Sequence, residues 1–330
     1  MEWSELVGNR RIAVVIPCYK VRAHVMGVIA AMGEEIDMIF CVDDACPDKS
    51  GAMIEAECTE PRVRVLYNEK NQGVGGAVMH GYRAAIAAGA DVIVKVDGDG
   101  QMDPLLIPEF VAPILAGEAD YTKGNRFYDL EKVRAMPPIR LFGNAVLSLM
   151  TKFSSGYWNL FDPTNGFTAI HAEAAKRLPF DKIASRYFFE SDILFRLNTL
   201  RAVVMDVPMD AKYGDEISNL KIPKIVGEFM WRHTCNSLKR IFYNYYLRDL
   251  SLASIELPLG LLMVCFGSGF GMYHWIHSVQ QEVLTPTGTI ILAMMPLLMG
   301  WQLILAFIGY DIASVPKRPL QRQLLRSIKK

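Results

Sequence analysis

Four apolar runs punctuate the first hundred residues, and each stops at a polar or glycine-bearing turn. Ile12-Ala-Val-Val-Ile16 ends at Pro17-Cys-Tyr19, and Met38-Ile-Phe-Cys-Val42 ends at Asp43-Asp44. Val63-Arg-Val-Leu-Tyr67 precedes Asn68 to Gly76, and Asp91-Val-Ile-Val-Lys-Val96 runs into Asp97-Gly-Asp99-Gly-Gln101-Met-Asp103-Pro104. Short runs of this kind read as buried strands. Helical patterns separate them, one reaching Met32 and a glycine-started, alanine-rich one from Gly73 to Ala88. Strand–helix alternation implies an α/β fold with a mainly parallel sheet and helices on both faces. Ligands bind outside the carboxyl ends of such strands, where all four polar stretches fall.

The chemistry is densest after the fourth run. Asp97 and Asp99 stand two residues apart with a glycine between them, so both carboxylates can turn toward one point. Hard oxygen ligands suit Mg²⁺ or Mn²⁺, ions that commonly accompany substrate phosphates. Asp43-Asp44 can bond a ribose or a base edge, or serve as an acidic turn. Asn71-Gln-Gly-Val-Gly-Gly76 offers backbone amides at a helix start, a setting that favours a diphosphate. It matches neither the P-loop nor the G-x-G-x-x-G pattern.

The last third has another character. From Ile222 to Tyr246, apolar residues recur at helical spacing among Lys224, Arg232, Lys239 and Arg240, the pattern of basic amphipathic helices on a membrane surface. Leu257 to Ile276 and Thr287 to Tyr310 carry no charge, and each is long enough to cross a ~30 Å hydrocarbon core. Their linker, from His277 to Pro286, lacks lysine and arginine, whereas both outer flanks are basic. The positive-inside rule then places the N-terminal domain and the tail in the cytosol. The division predicted is 1–220 catalytic, 221–250 amphipathic juxtamembrane helices, 251–310 membrane (spans near 254–276 and 287–310) and 311–330 a basic tail. That tail suits anionic lipid better than nucleic acid. The six cysteines show no C-x-x-C or zinc spacing and fit a reducing compartment. The N-terminus lacks the features of a signal peptide.

Taken as an ordered set, these stretches resemble family 2 glycosyltransferases of GT-A fold, and most closely the polyprenyl-phosphate hexosyltransferases of the dolichyl-phosphate mannose synthase type. The matching elements are Val15-Ile-Pro-Cys-Tyr19, Val42-Asp-Asp44 with Asp48, Asn71-Gln-Gly73 with Gly75-Gly76, Asp97 to Pro104, Lys123-Gly-Asn-Arg-Phe127, Arg140 with Asn144, Asp162-Pro-Thr-Asn-Gly-Phe167, Glu190-Ser-Asp192 and Lys212 to Ser218. The resemblance implies a donor site of Pro17, Tyr19, Asp43, Asp44, Asn71, Gly73, Asp97 and Gln101. It implies a metal held by Asp97, Asp99 and Gln101, and an acceptor phosphate met by Arg126, Arg140, Asn144, Lys212 and Ser218. Asp99, Arg126, Glu190 and Asp192 are the catalytic candidates. At the last element lysine replaces the family's arginine and the spacing is longer. Cys46-Pro47 stands where the family has glycine-serine.

The function implied is a membrane-bound, inverting, non-processive transfer of one sugar from a UDP- or GDP-hexose to undecaprenyl or dolichyl phosphate, at the cytosolic face of a membrane, most simply a bacterial inner membrane. Homo-oligomerisation is left open. A transferase acting on another glycolipid or a polysaccharide is the alternative, although the Q-x-x-R-W element of processive synthases is absent. A non-catalytic assembly subunit is a third reading, against which the intact acidic motif argues.

Overall fold

A computed structural model describes residues 7–128, 138–210 and 222–322, with the backbone alone for 139, 140 and 222–226. The chain divides into two compact units, Met1–Ser237 with Pro316–Lys330, and Leu238–Val315. The division between the units falls inside a helix, after Ser237, and the chain from Pro316 onward belongs with the first unit.

The first unit is built on a seven-stranded sheet. Its strands are β1 (Ile12–Cys18), β2 (Met38–Asp43), β3 (Val63–Tyr67), β4 (Val92–Lys95), β5 (Tyr121–Asn125), β6 (Thr168–His171) and β7 (Val204–Pro208), in the order β3-β2-β1-β4-β6-β5-β7. Every pairing is parallel except those of β6, which runs antiparallel to β4 and β5. Helices α1 (Val25–Ala30), α2 (Ser50–Glu57), α3 (Val74–Ala87), α4 (Ile107–Leu115), α5 (Pro138–Ser155), α6 (Ala172–Ala175), α7 (Phe189–Thr199) and α8 (Ile222–Phe242) follow in chain order. β1, β2 and β4 are buried almost throughout, which explains their unbroken apolar character. Pro17 is tolerated in central β1 because pairing with β4 ends at Val15, so its missing amide interrupts no second ladder.

The chain steps outward from β1 to β2 and β3, then returns to the other side of β1 as β4. The gap between the carboxyl ends of β1 and β4 is thus a topological switch point, the expected place for a ligand.

Residues 316–322 are fastened to the opposite end of β5. The buried Asp120 carboxylate accepts amides from Leu320 at 2.9 Å and Gln321 at 3.1 Å, besides that of Val203 at 2.8 Å. Gln321 Nε2 in turn donates to the carbonyls of Ile114 and Ala119, each at 2.8 Å.

In the second unit a π-helical turn (Tyr243–Arg248) leads to α9 (Ala253–Gln281) and α10 (Thr287–Ala313). Both helices are long and apolar enough to cross a membrane. A core helix of a soluble domain would hide its apolar side chains, whereas Leu262, Trp275, Leu298 and Leu305 are each more than half exposed. The pair touches backbone to backbone: a Cβ at Gly260 would lie 2.9 Å from the Gly300 carbonyl, and one at Gly267 would lie 2.7 Å from that of Ala293. Arg240 pairs with Asp311 through Nη1 and Nη2, at 2.6 and 2.9 Å, in a buried contact that Tyr245 joins.

Candidate active site

A cleft of about 800 Å³ opens at the switch point, lined by Pro17 to Val21 at and after the end of β1, Asp44 after β2, Asn71, Gly73, Val74 and Ala77 around the start of α3, Lys95, Asp97, Gly98 and Asp99 at the end of β4, and Arg186, Tyr187 and Glu190 at the start of α7. Of the expected donor residues, Pro17, Tyr19, Asp44, Asn71, Gly73 and Asp97 line it. Asp99, Lys20 and the half-exposed Tyr19 ring add a charged and aromatic rim.

Asp44 organises one wall. Its Oδ1 accepts from Asn68 Nδ2 at 2.7 Å and from the Gln72 amide at 2.9 Å, and its Oδ2 accepts the Gly73 amide at 2.7 Å. This revises the expectation for the glycine-rich loop. The Gln72 and Gly73 amides are spent on Asp44, and that of Gly76 on the Ser185 carbonyl at 3.1 Å. The glycines instead allow close packing. Gly73 adopts φ 83°, and a Cβ on Gly75 would lie 2.6 Å from the Ala184 carbonyl.

Asp43 is turned to a different task from donor binding. Its Oδ1 accepts the Cys46 amide and its Oδ2 the Gly51 amide, each at 2.7 Å, so both oxygens serve the turn into α2. Cys46 is buried in that turn, and its sulfur accepts the Lys20 amide at 3.1 Å, tying the loop after β1 to the loop after β2.

Asp192 also departs from its expected catalytic place. Its Oδ1 accepts from Asn236 Nδ2 at 3.0 Å, and its Oδ2 accepts from the Ala184 amide at 2.9 Å and Arg196 Nε at 3.3 Å. It is a buried clamp joining α7, α8 and the preceding loop. Glu190, two residues earlier, is the member of that motif that faces the cleft. Burial pushes its carboxyl above the ordinary range, with Lys95 and Lys123 pulling the other way.

Arg126 spends its fork on Asp162. Nε lies 2.7 Å from Oδ2 and Nη2 lies 2.9 Å from Oδ1, while its backbone amide reaches Oδ2 at 3.2 Å. Burial would raise the Asp162 carboxyl, but the hydrogen bonds and charge of Arg126 outweigh it and hold the group below the usual range. A guanidinium held this way positions the 162–167 loop, which argues against Arg126 as the direct acceptor ligand. The Asn144 side chain, on α5, is part-buried, whereas the Arg140 side chain, Lys212 and Ser218 lie outside the described residues.

Two buried lysines escaped sequence reasoning as site residues. Lys95 on β4 and Lys123 on β5 flank β6, each paired in register with its Thr168. Lys95 Nζ is 2.8 Å from Asp97 Oδ1 and 4.0 Å from Glu190 Oε1. Burial works against its charge, but Asp97 and Glu190 prevail and raise its affinity for the proton. Lys123 donates to the Asn165 carbonyl, and burial lowers it to about 8. Arg186 and Tyr187 were also missed, although they sit just before the Glu190 motif that was singled out.

For a cation, the acidic loop supplies two carboxylates, Asp97 and Asp99, facing one cleft, while Gln101 gives a backbone amide to Asp99 Oδ1 at 2.9 Å. Among the described residues no group of three or more His, Cys, Asp or Glu side chains forms a complete cage. Two hard anionic ligands fit a cation that completes its shell from phosphate oxygens and water.

The chain is similar over 203 residues, at 29% identity, to an undecaprenyl-phosphate mannosyltransferase of Micrococcus luteus, covering 60% of this chain and 82% of that one. It is 28% identical over 223 residues to a UDP-N-acetylglucosamine–dolichyl-phosphate N-acetylglucosaminyltransferase of Methanococcus voltae, covering 63% and 88%. Among solved structures, glucosyl-3-phosphoglycerate synthase of Mycobacterium tuberculosis, crystallised with Mn²⁺, UDP-glucose and phosphoglyceric acid, superposes with a TM-score of 0.55 at 20% identity over 72% of this chain and 82% of that one. That likeness is one of fold. The family model described as Glycosyl transferase family 2 matches residues 13–178, half of the chain, so the protein is a glycosyltransferase and belongs to that family.

Proposed function

We propose that the protein transfers one sugar from a nucleotide-sugar donor to the phosphate of a polyprenyl phosphate, with inversion and without processive extension. The observation that carries this reading is the joining, in one chain, of an acidic cleft at a topological switch point to two exposed apolar helices of membrane-crossing length. Its similarity to the two polyprenyl-phosphate glycosyltransferases supports the same acceptor class.

The donor's nucleoside lies against Pro17, Tyr19 and Asp44, and its diphosphate beside the acidic loop. Asp97 and Asp99, with Gln101 beside them, would hold Mg²⁺ or Mn²⁺, which supplies charge to neutralise the departing nucleoside diphosphate. Glu190 orients the sugar from the cleft floor. The acceptor phosphate is already anionic near neutral pH, since its second pKa is near ~6, so it needs aiming more than deprotonation. Arg140 and Asn144 are the residues proposed to aim it, and Arg186 is a further cation at the cleft.

The membrane arrangement proposed is a hairpin with both ends cytosolic, in a bacterial inner membrane. The linker without lysine or arginine supports it, as does the fastening of Leu320 and Gln321 to Asp120, because the chain leaves the first unit before α9 and is bound to it again after α10. The test is incubation of purified protein with undecaprenyl phosphate and a panel of radiolabelled UDP- and GDP-sugars. One donor should label the lipid in a chelator-sensitive reaction. Failure of every donor to label it, with sugar appearing on another acceptor, would reject the reading.

A further inference from the structure

Lys95 closes β4 with its side chain 1% exposed. An ammonium is removed from water this completely only when it is paired. Its partners are Asp97 at 2.8 Å and, more loosely, Glu190 at 4.0 Å. Glu190 is answered from a second side, because Lys123 acts on it from β5, so the shorter contact makes Asp97 the main partner of Lys95. Gly166 seals the pair, since a Cβ there would collide with both Lys95 Nζ and Asp97 Oδ2. The contact is therefore built into the fold.

This changes the charge available to a cation. Asp97 and Asp99 bring carboxylates to the cation position, and Lys95 sets one positive charge against Asp97, so the site offers a cation one negative charge less than it would without Lys95. Such a site attracts a free divalent ion less strongly than it would without Lys95. A nucleoside diphosphate adds the anionic oxygens that complete the shell.

We infer that Lys95 is an internal counter-cation that makes metal binding depend on the donor, so that metal and nucleoside diphosphate are taken up together and leave together. The inference rests on the metal reading proposed above. Lys95 is a positioning residue here, acting through Asp97.

The test is Mn²⁺ binding followed by electron paramagnetic resonance of the free ion, on full-length protein in detergent, alone and with UDP or GDP. Wild type should bind Mn²⁺ weakly alone and at least about tenfold more tightly with one nucleotide, as one added charge at close range warrants. Lys95→Met should tighten Mn²⁺ alone by roughly tenfold and shrink the nucleotide's effect by a similar factor. Glu190→Gln should act in the opposite direction on Mn²⁺ alone, because Lys95 then answers only Asp97. It carries the test if circular dichroism shows the Lys95→Met protein unfolded. A nucleotide effect equal to wild type in the folded variants would overturn the role of Lys95. Wild type that binds no Mn²⁺ with either nucleotide would overturn the metal reading itself, and this inference with it.

Discussion

Arg126 and Asp162 meet fork to carboxylate, with Nε 2.7 Å and Nη2 2.9 Å from the two oxygens of a side chain that is 1% exposed. The arginine that motif resemblance assigns to the acceptor is thus engaged in holding the loop that closes over Lys95 and Asp97. Breaking a buried pair by removing one partner costs ~3–5 kcal/mol, and the part-exposure of Arg126 places this one near the lower end. Arg126→Ala should therefore lower the melting temperature and weaken nucleotide binding and lipid use together. A fall confined to lipid use, with stability intact, would return Arg126 to the acceptor site.

Glu190 and Asp192 make a second contrast, because one faces the cleft and the other is consumed by the fold. Glu190→Gln should remain folded and reduce kcat by about 10²-fold or more, the scale of a positioned catalytic carboxylate. Asp192→Ala should instead destabilise the protein by roughly 1–3 kcal/mol, because it strands the Ala184 amide and the Asn236 side chain. Thermal denaturation beside turnover separates the two, and a stable but inactive Asp192→Ala protein would contradict this division.

The first four strands were legible because each is an apolar run closed by a turn signal. The remaining three were not, and β5 shows why. Tyr121-Thr-Lys-Gly-Asn125 is buried throughout, yet it contains a lysine whose burial depends on Glu190, Asp162 and the Asn165 carbonyl far along the chain. Lys95 was hidden for the same reason, since a lysine ending a strand reads as solvent-facing until its partners are known. The carboxylates of the site were easy to find by residue type, but their division of labour was not. Asp43 and Asp192 look like ligand-binding acids in sequence, and only the amides arriving from residues 46, 51 and 184 reveal them as clamps. The fastening of Gln321 to Asp120 joins positions 201 residues apart and leaves no local signal.

His233 gives the first unit an acid sensitivity. It is buried, its Nδ1 lies 2.8 Å from Ser154 Oγ, and its Nε2 has no partner among the described residues. Burial lowers it to about 4 from an ordinary value near 6.5. The unfolded chain therefore binds more protons between those values, so the contribution is full above pH 6.5 and is lost as pH falls toward 4. The loss at the acid limit is about 3 kcal/mol. Melting temperature measured from pH 7 to 4.5 should fall less steeply for His233→Gln than for wild type, and identical slopes would remove His233 as the cause.

The central claim, that the acceptor is a phosphate on a polyprenyl chain, is tested most directly by offering the purified protein undecaprenyl phosphate and undecaprenol in parallel, with the radiolabelled donor it uses. Both lipids present the same apolar chain, so only the anionic head distinguishes them. The account predicts labelled lipid from undecaprenyl phosphate alone, with one nucleoside diphosphate released per sugar transferred and no product carrying a second sugar. Equal labelling of undecaprenol, or labelling of neither lipid while the sugar passes to another glycan with release of nucleoside diphosphate, would contradict it.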